Sequence, residues 1–123
     1  MAMEFICANG IKTFFNGGVA SEQLLFPENA GSERVTITRV TVAPNAEQPR
    51  HLHEASEQIW VAMEGKGVLL LAQGQTREFA AGDVVRFADG DIHGLRNESA
   101  SDFQYMSVTS PPINFRKAYK EEK

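Results

Sequence analysis

Residues 49–65 read PRHLHEASEQIWVAMEG, and the reading of the rest of the chain starts from the order of residue types within them. In extended backbone successive side chains point to opposite faces, so His51 and His53 present both imidazoles on one side while Leu52 turns away. From Gln58 to Met63 the same alternation puts Gln58, Trp60 and Ala62 on one face and Ile59, Val61 and Met63 on the other. Two imidazoles on one short strand hold a divalent cation only loosely, so a full site needs one or two more donors from elsewhere.

The remaining histidine, His93, lies in residues 82–97, GDVVRFADGDIHGLRN, which read as strand, turn and strand. All three histidines therefore fall in two segments of similar layout, each beside an apolar alternating run. After the Gly90 turn, His93, Leu95 and Asn97 share one face of a strand.

These two segments resemble the paired motifs of the cupin superfamily. The first family motif is a glycine, five residues, His-x-His, three or four residues, a glutamate, six residues and a glycine. Here the chain has His51 and His53, then Glu57 or Gln58, then Gly65, with Asn45 in the leading glycine position. The second is a glycine, five residues, Pro-x-Gly, two residues, a histidine, three residues and an asparagine. Gly82, Gly90, His93 and Asn97 fit that spacing, with Ala88 where proline is usual. The resemblance implies an all-β, cupin-type antiparallel β-barrel (a double-stranded β-helix, jelly-roll-like) with a metal site in its mouth formed by His51, His53, Gln58 and His93. Six residues between the fourth donor and the turn glycine select Gln58. Glu57 is the alternative donor, and on a strand it faces the other way.

Short strands separated by glycine turns, with almost no helix-period stretch, independently point to an antiparallel sandwich or barrel. A chain of 123 residues is one domain, read as a core barrel over 34–110, N-terminal edge strands within 1–33 and a tail over 111–123. Lys12 to Phe15 and Glu22 to Phe26 read as the edge strands. Arg34 to Val42 is a β-branched strand whose alternation shifts between Ile37 and Val40, as for a bulge or a strand covered on both faces. Pro44 and Pro49 frame a loop that delivers His51. Gln58–Met63 and Val68–Leu71 form a hairpin, with Thr76–Phe79, Val84–Phe87 and Phe103–Thr109 as further strands and a short helix or frayed tail from Asn114. The outward apolar residues Ile59, Val61 and Met63 call for a cover, which predicts a homodimer.

Composition narrows the partners. Charged residues at 23% and apolar ones at 42% are ordinary for a globular domain, and a net charge of −4 without a basic run argues against nucleic acid. No segment has the length and apolarity of a membrane span or the pattern of an export leader, so the expected location is the cytoplasm, with no membrane partner. The single cysteine, Cys7, forms no internal disulfide and reads as a small buried or half-exposed apolar residue.

Three neutral imidazoles and a neutral amide would leave a divalent ion's charge uncompensated, making it a good Lewis acid that attracts anions. Iron, nickel, manganese, zinc and copper all suit such nitrogen and oxygen donors. Trp60 and Met106 are expected to shape the pocket, and no serine, cysteine or lysine is marked as a nucleophile. The expected function is that of a metal-dependent enzyme on a small oxygenated carboxylate or enediol, by isomerase-like or dioxygenase chemistry. The alternative is a non-catalytic small-ligand-binding or sensor module. The glutamine-bearing site also resembles small cupins that open unsaturated uronates. Those carry Asp-x-Phe-Ser-Pro-x-Arg after the last strand, whereas residues 107–113, SVTSPPI, keep only the Ser-Pro.

Overall fold

Alternation of buried and half-buried residues along β-branched segments builds the strands of the computed structural model, which describes residues 3–121. In chain order these are β1 (Lys12–Asn16), β2 (Val19–Leu25), β3 (Thr36–Val42), β4 (Glu47–His51), β5 (Glu57–Glu64), β6 (Lys66–Leu71), β7 (Thr76–Ala80), β8 (Val84–Phe87), β9 (His93–Arg96), β10 (Phe103–Ser110) and β11 (Lys120–Glu121). Short 3-10 turns cover Ala8–Gly10, Ala72–Gly74 and Phe115–Ala118. No α-helix occurs among the described residues.

All pairings are antiparallel, in a seven-stranded sheet of order β11-β1-β2-β3-β10-β5-β8 and a four-stranded sheet of order β4-β9-β6-β7. The two sheets face each other in a double-stranded β-helix without being hydrogen-bonded into a closed cylinder. Their inner faces share one core, in which Val42, Trp60, Phe103 and Tyr105 of the large sheet meet Leu69, Phe79 and Leu95 of the small one. Trp60 stacks on Tyr105 at 4.1 Å between ring centroids, and Phe79 packs on Phe103 at 5.8 Å.

Several local expectations are corrected. Residues 58–71 are not a hairpin, because β5 pairs with β10 and β8 while β6 pairs with β7 and β9. Gly65, at φ +85°, turns the chain from one sheet into the other, and a Cβ there would lie 2.6 Å from the Asp102 carbonyl oxygen. The apolar inner face of each strand is thus covered by the opposite sheet. β3 keeps one unbroken alternation, with Thr36, Thr38, Val40 and Val42 all inward; the register shift lies in its neighbour, between Gln23 and Leu25 of β2. Pro49 lies inside β4 rather than in a loop, which the ladder tolerates because β4 is an edge strand. The second edge strand starts at Val19, three residues before Glu22. Cys7 is exposed. The tail forms a 3-10 turn and then a strand on β1, and residues 1–2 and 122–123 of the two terminal regions lie outside the described residues.

Two motif positions have a backbone explanation. Asn45 has φ +67°, a left-handed conformation that asparagine tolerates best after glycine, so it replaces the motif glycine without changing the turn. Fully buried Asn97 clamps the same corner. Its Nδ2 donates to the carbonyls of Val42 (2.9 Å) and Ser101 (2.8 Å), and its Oδ1 accepts from the Ser99 amide and hydroxyl. Asn97→Ala should remove the side-chain donor to the buried Val42 carbonyl and the acceptor of the Ser99 amide and cost about 1–3 kcal/mol, read as a lower urea midpoint at unchanged slope.

Candidate metal centre

The centre forms where the edge of the small sheet meets β5. His51 ends β4 and pairs with His93 at the start of β9, while His53 lies just beyond the strand, tied by a bond from the Gly90 amide to its carbonyl (2.8 Å). The ring centroids are 4.4 Å apart for His51 and His93, 5.1 Å for His51 and His53, and 5.3 Å for His53 and His93. One nitrogen from each ring falls within 4.8 Å of the other two. Two of the rings are fixed by backbone: His51 Nδ1 lies 2.8 Å from the Pro49 carbonyl oxygen and His93 Nδ1 2.8 Å from that of Asp91. A carbonyl only accepts, so both Nδ1 atoms carry the proton and both Nε2 atoms are left as donors for a cation.

Gln58 completes the cluster from β5. Its orientation is set by its neighbours, because the Trp60 indole N–H donates to Oε1 (3.1 Å) while Nε2 donates to the Thr109 hydroxyl (2.9 Å). His93 Nε2 then faces Gln58 Oε1 at 3.1 Å, two lone-pair atoms with no hydrogen between them when the imidazole is neutral. Burial holds the His93 pKa down at about 4, so at neutral pH a proton does not supply the missing positive charge. His53 Nε2 is buried without a hydrogen-bond partner, and burial, with His51 nearby, pushes its pKa down to about 4 as well. The donor set therefore fits a divalent cation. Glu57 points outward from the same strand and bonds Arg86 at 2.6 Å.

Beside the histidines opens a cavity of about 320 Å³ whose lining includes His51, His53, Gln58 and Trp60, with His93 buried behind them. Met106 is not part of it. It lies on the outer face of β10 between Arg39 and Val61, and the residues on either side of it, Tyr105 and Ser107, are the ones that point inward. Both faces of β10 carry apolar residues, so alternation alone left its parity open; Met106 fell on the wrong side. Of Arg39, Arg86 and Arg96, each is paired with a glutamate on the surface and none lines the cavity.

Sequence reasoning missed the far wall. Tyr105 donates to Gln48 Oε1 (2.7 Å) and Gln48 Nε2 to the Tyr119 hydroxyl (3.2 Å), and burial raises the pKa of both phenols. Phe115 packs edge-on against His53 at 5.8 Å. Tyr119 and Phe115 come from the tail, where only their aromatic character in a polar run signalled a buried role.

The Cupin domain family model matches residues 38–109, more than half of the chain. The protein belongs to the cupin family. No curated protein matches this cupin. Among solved structures it is similar to KdgF from Halomonas sp. (20% identity, 90% of this chain and 96% of that one, TM-score 0.73). It is also similar to the polyketide cyclase RemF from Streptomyces resistomycificus (25% identity, 89% and 80%, TM-score 0.74). A predicted oxalate decarboxylase from Thermotoga maritima shares the fold at 21% identity, 87% and 98% coverage and a TM-score of 0.75. No helix of the described residues is long and apolar enough to cross a membrane.

The depressed histidine pKa values set a pH dependence for the cupin stripped of metal. Between the unfolded value of 6.5 and about 4 the unfolded chain binds protons that buried His53 and His93 do not. Stability should therefore fall as pH drops through that window, seen as a declining urea midpoint in chelator-treated protein.

Proposed function

We propose that this cupin is a metal-dependent enzyme acting on a small oxygenated carboxylate or enediol. One divalent transition metal is held by His51, His53, Gln58 and His93, and the ligand occupies the adjoining cavity. The observation that carries the reading is the convergence of three imidazoles, two of them with Nδ1 tied to backbone carbonyls, on the mouth of a cavity of about 320 Å³. Bound there, a divalent ion supplies Lewis acidity to an oxygen of the ligand, and iron, nickel, manganese, zinc and copper all suit the donors. All four donors are neutral, which favours an anionic ligand group.

The chain's own residues set the remaining conditions. Trp60 and Thr109 hold the Gln58 amide so that its oxygen faces the histidines. Trp60 and Tyr105 wall the cavity, and Phe115 narrows it beside His53. Similarity to a polyketide cyclase at 25% identity supports an enzymatic reading. The second reading, a binding or sensor module, is favoured by the lack of a free acid or base in the lining. Its one carboxylate, Glu47, lies 3.9 Å from Arg96. Turnover of the bound carboxylate or enediol, measured with and without oxygen, separates the two, since binding without turnover identifies a module.

We further infer a cytoplasmic homodimer formed through the outer face of β5 and β8. Met63 and Val84 are 52% and 64% exposed there, with Ile59 and Val61 half-buried beside them. Val84→Glu should shift sedimentation toward the monomer, and a wild-type monomer at tens of micromolar rules the dimer out.

Metal analysis of protein purified without a nickel column tests the centre itself. His93→Ala should weaken metal binding by about a hundredfold or more, while Glu57→Ala should leave it within about twofold. Loss of metal in Glu57→Ala but not in Gln58→Ala would place the fourth ligand at Glu57 instead.

A further inference from the structure

The cavity carries a second polar feature on the wall of the large sheet. Across β5, β10, β3 and β2 the inward residues Trp60, Ser107, Thr38 and Gln23 stand opposite one another in register. Ser107 and Thr38 both line the cavity. Ser107 is 3% exposed and its hydroxyl has no hydrogen-bond partner among the described residues. Gln23, fully buried behind it, leaves its Oε1 unpartnered too. That atom is an oxygen, because the amide Nε2 is identified by its bonds to the Ser21 carbonyl (3.0 Å) and hydroxyl (2.9 Å). A buried hydroxyl without a partner destabilises the fold, and an alanine would pack there without that cost. Packing alone therefore does not account for the serine.

We propose that Ser107, with Thr38 beside it, binds an uncharged oxygen substituent, a hydroxyl or a carbonyl, at the end of the ligand remote from the histidines. The assignment rests on the proposed function, which places the other end of the ligand at the histidine cluster. Gln58 faces Thr109 across β5 and β10, and Trp60 faces Ser107 two residues along. The two rungs are thus about 7 Å apart, the length of one substituted ring. Trp60 forms part of the second rung and stacks on Tyr105 of the rung beyond, which gives that end of the cavity an aromatic wall. The substituent is uncharged because nothing at this rung would neutralise a charge. The acidic and arginine residues of the lining, Glu47 and Arg50, stand on β4 of the small sheet instead of at this rung, and Arg50 donates to the carbonyls of Leu71 (2.7 Å) and Gln75 (3.3 Å).

The test compares phenylpyruvate with 4-hydroxyphenylpyruvate, a pair differing by one remote hydroxyl, on zinc-loaded protein, in which the metal has no redox chemistry to consume them. Wild type should bind the hydroxylated acid about tenfold more tightly. Ser107→Ala should abolish that ratio while keeping phenylpyruvate and zinc affinity, and Thr38→Val, a second variant at the same rung, should reduce it. Losing an unpaired hydroxyl should also leave the melting temperature of Ser107→Ala unchanged or raise it by up to about 4 °C. No preference in wild type, or a preference intact in both variants, overturns the assignment. Failure of the metal-anchored reading gives a different result, phenylpyruvate affinity unchanged when zinc is stripped.

Discussion

A strand side chain has only two faces to choose from, and the interior of this cupin depends on which face of β5 and β10 looks inward. Three successive rungs of that pair carry, in order, Gln58 with Thr109, Trp60 with Ser107 and Ala62 with Tyr105. The first rung belongs to the histidine cluster, the second to the cavity and the third to the aromatic core. A slip of one residue in β5 would turn Gln58 to the surface and bring Glu57 inside, exchanging a neutral donor for an anionic one. Bonding between Glu57 and Arg86 outside and between Gln58 and Thr109 inside opposes that slip from both faces.

The same interior trades stability for a site. Trp60, Tyr105, Phe79 and Phe103 form a packed aromatic group, and Phe87 stacks on His93 at 4.3 Å with the rings 11° from parallel. Against this stand buried groups that the fold leaves unsatisfied, His53 Nε2, Ser107 Oγ and Gln23 Oε1. Two of the three line the cavity, which is where a bound group would satisfy them. Backbone tethers at His51 and His93 hold the rings in place, so binding an ion there requires little reorganisation.

The two terminal regions complete the cavity. β1 and β2 extend the large sheet beyond β3 and contribute Val19 and Ser21, while the tail returns past the opening with Phe115 and Tyr119. The tail is anchored by the bond from the Thr36 hydroxyl to the Ile113 carbonyl (2.8 Å), the Arg116–Glu28 ion pair and pairing of β11 on β1. Segments with little motif content thus supply part of the cavity wall.

By itself the sequence determined the all-β class, the inward face of β5, the grouping of the three histidines with Gln58 and the turns at Gly82 and Gly90. The class and the turns follow from short alternating runs broken by glycines, the shared face of Gln58, Trp60 and Ala62 from the period of two along a strand, and the grouping of the histidines with Gln58 from the resemblance of the two segments to the cupin motifs. Tertiary structure decided what those local rules do not contain. Gly65 leads from one sheet to the other instead of closing a hairpin, because the choice between two nearby partners depends on the strands that flank them. β10 has apolar residues on both faces, so its pairing with β3 and β5 had to choose Tyr105 and Ser107 over Met106. Phe115 and Tyr119 reach the cavity from far along the chain, and sequence spacing carries no information about contacts made across such a distance. The part of the cavity wall that the tail supplies is therefore a product of packing.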